Sequence, residues 1–218
     1  MIITIDGPAG SGKSTLSRRL AEKLGFSFLD TGAMYRAVTY LIQKNNLPIR
    51  ENDELQNLLM NVSIIFDKKR VMINGEDVTD LIRRPGIDKN VSSVSELRAV
   101  RDKLVELQRA IAENGEYVCE GRDMGSVVFP SAFRKFYLDA SPSERARRRA
   151  NQLYNKGIID KIDDEALNKI KDEIEVRDTK DITRKNSPLT VPVDAVIIDT
   201  DGKKVDEVLT EMMKSINI

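Results

Sequence analysis

Residues 7–15 read Gly-Pro-Ala-Gly-Ser-Gly-Lys-Ser-Thr, directly after an apolar run, Met1 to Ile5, that closes on Asp6. This is the pattern G-x4-G-K-[ST], and it fixes three consecutive pieces of structure at once. Ile2, Ile3 and Ile5 read as a buried first strand, and Leu16, Leu20 and Leu24 recur at the four-residue spacing of a helix that opens near Lys13. Between them the glycines let the backbone wrap around a polyphosphate, with successive N–H groups pointing inward as donors. The helix N-terminus adds its partial positive charge. The pattern therefore assigns Gly7, Pro8, Ala9, Gly10, Ser11, Gly12, Lys13, Ser14 and Thr15 to a nucleoside triphosphate. Lys13 reaches the outer phosphates, and the Ser14 hydroxyl binds the Mg2+ that travels with them. The bland alternative, a glycine-rich strand–helix turn that binds nothing, does not explain why the whole pattern sits between strand and helix.

Composition narrows the rest. The 218 residues suffice for one α/β core with one or two subdomains. Lys+Arg and Asp+Glu are both 35, which argues against bulk nucleic-acid or membrane-surface binding, since both usually leave a basic excess. Aromatic residues make up 5% and Trp is absent, so a base-stacking platform is not expected. The single Cys119 cannot form an internal disulfide, and within Tyr117-Val118-Cys119 it reads as a buried strand residue. There is no leading signal-type stretch, because Asp6 interrupts the first apolar run, and no run approaches the ~20 residues of a membrane span. The expectation is a soluble cytoplasmic protein. The chain has no His, so histidine metal sites, histidine bases and Ser-His-Asp triads are excluded. Catalysis must then rest on charge and positioning.

The pattern along the chain alternates. Phe26–Leu29 reads as a second strand ending at Asp30-Thr31-Gly32, followed by a helix from about Ala33 to Asn45. Asp53 is expected to cap a short helix. Val62–Phe66 and Val71–Ile73 flank the polar turn Asp67-Lys68-Lys69-Arg70, and Asn74-Gly75 is a strong hairpin signal. This predicts a small antiparallel sheet inserted into a β/α chain. A long helix is expected from Glu96 to about Asn114, stopped by Gly115. Core strands follow at Tyr117–Cys119, Lys135–Leu138 and Ala195–Ile198, with a last helix from about Val205 to Ile216. Strands alternating with helices imply a parallel sheet covered on both faces, with ligands beyond the strands' carboxyl ends. That rule places Gly7–Thr15, Asp30–Gly32 and Gly121–Asp123 along one rim.

Between Pro142 and Pro192 the composition shifts. Ser141-Pro142-Ser143-Glu144 starts a helix carrying Arg145, Arg147, Arg148 and Arg149, with Arg147 turned away from the other three. A second charged helix, about Asp163 to Arg177, leads to Asp178-Thr179-Lys180-Asp181 and Arg184. Alone, such a run is a solvated face. Beside a triphosphate loop it reads as a lid that supplies guanidiniums to a transferred phosphoryl group.

Three longer stretches carry a family resemblance: Ile-Asp-Gly-Pro-Ala-Gly-Ser-Gly-Lys-Ser-Thr, Leu-Asp-Thr-Gly-Ala-Met-Tyr-Arg and Glu-Gly-Arg-Asp-Met-Gly-Ser-Val-Val-Phe-Pro. Together they resemble the bacterial cytidylate kinases, over essentially the whole chain. The resemblance implies a three-layer α/β/α fold of the P-loop kinase type with a parallel sheet, a small antiparallel insert and a helical lid. It divides the chain into a core (1–30, 115–141, 193–218), a nucleotide-acceptor subdomain (31–114) and a lid (142–192). It implies Mg2+-dependent transfer of the ATP γ-phosphoryl group to CMP or dCMP by a monomer. Thr31, Tyr35 and Arg36 would bind the acceptor, with Arg36 on its phosphate, and Ser92 and Arg101 would lie at the cytosine ring. Arg122 and Asp123 would complete that pocket, Asp181 and Arg184 would close over it, and Arg177 would hold the transferred phosphate. Arg148 and Arg149 correspond to donor-side lid arginines. Thr31 stands where some members carry Ser, which keeps the hydroxyl. Glu120 stands where many carry Asp, a carboxylate that can reach Mg2+ through water.

The chemistry points the same way. A dianionic phosphate suits the planar, always-charged forks of Arg36 and Arg122. Cytosine presents an exocyclic amine where uracil presents a carbonyl, so a carboxylate such as Asp123 accepts from the first and repels the second. Structural readings stand beside these: Arg122 and Asp123 could simply pair with each other, and Tyr35 could be a core residue of its helix. The rival functions are another nucleoside monophosphate or small-metabolite kinase, a GTP-binding switch and a nucleic-acid-binding ATPase. Asp199-Thr200-Asp201-Gly202 imitates the D-x-x-G of switches, but no N-K-x-D motif follows it, and it reads as a strand-end turn.

Overall fold

The computed structural model describes residues 1–67 and 70–216, so Lys68 and Lys69 of the expected polar turn lie outside the described residues. The chain divides into two compact units, Met1–Leu29 with Gly115–Ile218, and Asp30–Asn114.

The first unit is organised by strands β1 (Ile2–Asp6), β2 (Ser27–Asp30), β6 (Tyr117–Glu120), β7 (Arg134–Asp139) and β8 (Val196–Asp199), in the sheet order β2-β6-β1-β7-β8. β1 pairs in parallel with β6 on one side and β7 on the other, and β7 with β8. Central β1 is buried along nearly its whole length, as its run of Ile predicts for a strand covered on both faces. Helix α1 (Lys13–Leu24) lays Leu16, Leu20 and Ala21 on the sheet, and α8 (Val205–Ile216) adds Val208, Leu209 and Met212 to the same cluster around Ile3, Ile5 and Phe136. Leu20 is fully buried; its truncation to Ala would cost about 2–5 kcal/mol through lost burial and the cavity left behind. This is the α/β fold with a parallel sheet that the alternating pattern predicts.

Two further helices of this unit are α6 (Pro142–Asn155) and α7 (Asp164–Thr183), which share a small core of Ala146, Ala150, Ile170 and Ile174. α7 runs six residues beyond the expected end at Arg177. Nothing between Arg177 and Thr183 breaks a helix, and Arg184 is its C-cap, so Arg177, Asp178 and Asp181 belong to one helix rather than to a helix and a following segment.

The second unit holds α2 (Thr31–Lys44), α3 (Asp53–Met60), α4 (Pro85–Glu96) and α5 (Arg98–Ala112), with an antiparallel sheet in the order β3 (Ile64–Asp67), β4 (Arg70–Ile73), β5 (Glu76–Asp77). Asn74 and Gly75 both adopt positive φ, 49° and 82°, as a tight hairpin turn requires. Three local readings are corrected. α2 begins at Thr31 rather than near Ala33, because the Asp30 side chain caps it by accepting the Ala33 N–H at 2.9 Å. α3 is capped by Asn52, whose side chain accepts the Leu55 N–H at 2.8 Å, and Asp53 is its first residue. The helix expected from Glu96 to about Asn114 is α5, which runs only from Arg98 to Ala112; a helix the pattern did not show, α4, precedes it and ends at Glu96, with Leu97 extended between the two (ψ 126°). Among the described residues no helix is long and apolar enough to cross a membrane.

Candidate active site

The loop between β1 and α1 is shaped by its glycines. Gly7, Gly10 and Gly12 have φ of 145°, 80° and 91°, a region that L side chains rarely enter. A Cβ on Gly7 would lie 2.1 Å from the Leu138 carbonyl oxygen, so the chain can leave β1 beside β7 only without a side chain there. Gly12 caps α1 with no side-chain hydrogen bond, so no cap side chain covers the helix's positive end. Lys13 is buried, and its Nζ donates to the Pro8 carbonyl at 2.6 Å and to Ser11 Oγ at 3.4 Å. Burial, then the charge of Arg122, holds its ammonium well below the usual lysine range. Ser14 Oγ donates to Glu120 Oε1 at 2.7 Å, bringing two hard oxygen ligands together at the end of the loop.

Glu120 is the last residue of β6, the strand beside β1, and Gly121, Arg122 and Asp123 follow it. Arg122 Nε donates to Asp181 Oδ2 at 2.9 Å. Arg184 Nη2 lies 3.6 Å from Asp123 Oδ1 and its Nη1 3.8 Å from Asp181 Oδ1. Asp123, Asp181 and Arg184 are all buried. Burial pushes the Asp181 carboxyl up, but Arg122, Arg177 and Arg184 together outweigh it and hold the group below the ordinary range. Lys13 feels Arg122, Glu120, Arg177 and Asp181 as well. The structure thus gathers Lys13, Glu120, Arg122, Asp123, Arg177, Asp181 and Arg184, from three separate stretches of chain, into one charged cluster beside the loop. Such a cluster can hold and neutralise phosphate oxygens; it contains no His or Cys to act as a base or nucleophile at neutral pH.

Around it stand the expected Arg148 and three residues to which the sequence gave no role in the site: Arg145, Asp178 and Thr200. Arg145 is 5% exposed: its Nε donates to the Ala140 carbonyl at 2.9 Å, its Nη1 to the Ala9 carbonyl at 3.0 Å, and it pairs with Asp178. Asp178 in turn accepts the Ala9 N–H at 3.2 Å, so α6 and α7 both grip the phosphate loop through this pair. Arg148 is held at three points, with Nε on Glu144 at 2.8 Å, Nη1 on Thr200 Oγ1 at 2.9 Å and Nη2 on the Thr200 carbonyl at 2.6 Å. Thr200 Oγ1 also bonds the Ser11 carbonyl at 3.4 Å. The strand-end turn at Asp199–Gly202 therefore braces the loop. Arg149 is half-buried on α6, whereas Arg147 is exposed and pairs with Glu144. The four-arginine run carried the signal for Arg145; Asp178 and Thr200 gave none.

The second unit holds the other predicted positions. Thr31 is the buried first residue of α2. Arg36 Nε donates to Asp88 Oδ1 at 3.1 Å, and a Cβ on Gly32 would lie 3.1 Å from Arg36 Nη1, so glycine lets that guanidinium fold back over the first turn of α2. Tyr35 is buried, with the Arg101 guanidinium 5.4 Å from its ring centroid. Arg101 Nη1 donates to the Ser95 carbonyl at 3.1 Å, and Ser95 Oγ to that of Ser92 at 2.7 Å. Ser92, Arg101 and Tyr35 are thus linked through α4, α5 and α2, which the sequence reading had not supplied because α4 was absent from it.

Comparison with known proteins agrees with this geometry. The family model described as cytidylate kinase matches residues 3–218. A cytidylate kinase from Caldanaerobacter subterraneus subsp. tengcongensis is 44% identical over 214 residues, covering 98% of this chain and 93% of that protein. One from Thermodesulfovibrio yellowstonii is 45% identical over 221 residues, covering 99% and 97%. Among solved structures, shikimate kinase from Bacteroides thetaiotaomicron is similar with a TM-score of 0.50 and 12% identity, covering 100% of this chain and 99% of that one, a likeness of fold.

Proposed function

The chain belongs to the cytidylate kinase family, and on that premise we propose that it transfers the γ-phosphoryl group of ATP to CMP or dCMP, giving ADP and CDP or dCDP. The observation that carries the assignment is the charged cluster at the end of β6. A phosphate loop alone serves many chemistries, whereas Arg122, Arg177 and Arg184 grouped around Asp181 beside it suit a phosphoryl group on its way to a second phosphate.

In this reading Gly7–Thr15 hold the ATP phosphates by main-chain N–H groups. Lys13, held below the usual lysine range by burial and then by Arg122, gains counter-charges that favour its ammonium form as phosphate oxygens approach. The hydroxyl of Ser14 and the carboxylate of Glu120, 2.7 Å apart, fit Mg2+, a hard cation that takes one or two protein oxygens and leaves the rest of its shell to phosphates and water. When bound, the ion neutralises phosphate oxygen charge. Arg36 takes the acceptor phosphate, Tyr35, Ser92 and Arg101 lie at its base, and Thr31 contributes its hydroxyl. Arg122 and Arg177 stabilise the group in transit, while Arg148 and Arg149 belong to the ATP side. Asp123, oriented by Arg184, accepts from the cytosine amine, and Asp181 holds Arg122 and Arg184 in place. No general base is needed, because the acceptor phosphate oxygen is already a nucleophile; the chain's task is to align two anions and cancel their repulsion. Residues 31–114 act as the acceptor subdomain and 142–192 as a lid that keeps water from the ATP. The protein works as a cytoplasmic monomer on free nucleotides, with no nucleic-acid or membrane partner.

A coupled assay across CMP, dCMP, UMP, AMP and GMP tests the assignment. CMP and dCMP should be turned over far faster than the others, and equal rates on UMP and CMP would refute it.

A further inference from the structure

Asp6 closes β1 one residue before the phosphate loop and is fully buried. Its two carboxylate oxygens each accept one main-chain bond from across the sheet: Met124 N–H donates to Oδ1 and Gly125 N–H to Oδ2, both at 2.8 Å. Those two amides open a π-helix, Met124–Val128, whose N-cap residue is Asp123. An N-cap Asp ordinarily folds its own side chain onto the first free N–H groups of its helix. Asp123 makes no such bond; its carboxylate faces Arg184 instead. Its carbonyl, not its side chain, ties down the turn by accepting from Val127 at 2.9 Å and Val128 at 3.1 Å.

A second observation shows how closely this turn is held to β1. A Cβ on Gly125 would lie 2.9 Å from Thr4 Oγ1 and 3.0 Å from Pro192 Cγ, so the segment approaches within a distance that only glycine allows. Thr4 and Asp6 are two residues apart and share one face of the strand. One face of β1 therefore provides both the close seat for Gly125 and the carboxylate that receives its N–H.

We infer that Asp6 is a positioning residue for acceptor choice: by capping the Met124–Val128 turn in place of Asp123, it leaves the Asp123 carboxylate directed at Arg184 and at the base of the acceptor nucleotide. The inference rests on the assignment of Asp123 to base reading. Two amides receive two full acceptors from one ionised side chain, so the register of Arg122 and Asp123 is set by the same strand that delivers the phosphate loop. Without Asp6 the free N–H groups are left to the carboxylate of their own N-cap residue, Asp123, and the base-reading group is lost to its own turn.

The test is Asp6→Asn, which keeps the shape but places an NH2 against one of the two N–H donors. Expected are a loss of about tenfold in kcat/KM for CMP and a ratio of CMP to UMP kcat/KM that falls severalfold. The KM for ATP should stay within about twofold, since the loop itself is untouched. In an Asp123→Ala background Asp6→Asn should leave the CMP/UMP ratio where Asp123→Ala alone put it. An unchanged ratio, or equal losses on CMP and UMP, would reduce Asp6 to a structural cap and overturn the inference. Should Asp6→Asn fail to fold, Gly125→Ala, whose methyl meets Thr4, displaces the same amides and must produce the same fall in ratio. In the unmodified protein, the Met124 and Gly125 amide protons must exchange slowly in NMR experiments, and exchange as fast as that of exposed loop amides would also overturn it. A wild-type enzyme with no preference for CMP refutes the functional assignment instead, and the exchange measurement still decides the capping.

Discussion

Two strand-to-helix turns stand at the carboxyl ends of neighbouring strands in the same unit, and they are built in opposite ways. After β1, the turn at 7–12 has glycines at positive φ and a helix cap without a side-chain bond, so what it presents is main chain. After β6, the turn at 121–128 has its leading N–H groups consumed by Asp6, so what it presents is side chains, Arg122 and Asp123. On the function proposed above, the difference matches what each would recognise. A polyphosphate offers many equivalent oxygens, which a cradle of N–H groups satisfies whatever base is attached. Cytosine differs from uracil by one exocyclic amine, which an oriented acceptor can read. A single carboxylate, Asp6, ends the first strand and organises the second turn.

The largest test of this contrast is Lys13→Ala, which removes the one long cation of the main-chain turn. Turnover should fall by about 10²–10³-fold with the CMP/UMP ratio unchanged, and near-normal kcat in a coupled assay would break the assignment of the loop. Next comes the cost of the shared carboxylate. Burial pushes the Asp6 carboxyl up to about 6 from 3.8, against the pull of its two amides and Lys13 and with the push of Asp123. A raised carboxyl pKa means the native state holds that proton more tightly than the unfolded chain. The stabilisation is therefore complete below about pH 4 and is lost as pH rises through 6, by about 3 kcal/mol for a shift of roughly two units. Relative to Asp6→Asn, the wild type should lose stability to urea between pH 4 and pH 6.5, and a constant difference across that range would show that Asp6 carries no such strain.

Asp123→Asn probes the side-chain turn directly. It should lower the CMP/UMP ratio of kcat/KM by about tenfold while KM for ATP holds, and an unchanged ratio would clear Asp123 of base reading. The smallest effect belongs to Arg147→Ala. Arg147 is exposed and pairs with Glu144 within its own helix turn, so both Tm and turnover should match the wild type. A loss there would mean that the charged face of α6 contributes beyond Arg145 and Arg148.

Legibility in the sequence followed the range of the forces involved. β1, the loop and α1 are contiguous and obey local rules of apolar spacing and glycine placement, so they could be read residue by residue. α4 escaped because Gly86, Ser92, Ser93 and Ser95 dilute its apolar pattern, and its evidence, Pro85 at the first turn, is a single residue. The lower part of α7 was cut short because its residues are charged on every side; it is the ion pairs of Asp178 and Asp181 with distant arginines that hold it. The candidate residues Lys13, Arg122, Asp123, Arg177, Asp181 and Arg184 were named from motifs, but their grouping was not, since 40 or more residues of chain separate the stretches. The π-helix had no sequence signal, because its starting amides are satisfied from another strand.

By itself, the sequence determined that a glycine loop would join strand to helix and present main-chain donors, because that outcome depends on φ freedom and spacing within nine residues. It also excluded histidine bases and histidine metal sites, because the chain has no His. Only the tertiary structure decided which charges face one another. Arg145 turns inward to the loop while Arg147, two residues on, is left exposed. Asp6 accepts from a turn 118 residues away, and Asp123 is thereby spared its own cap. The physical reason is that a carboxylate or guanidinium has the same chemistry wherever it stands, and its partner is set by packing, which no local pattern encodes.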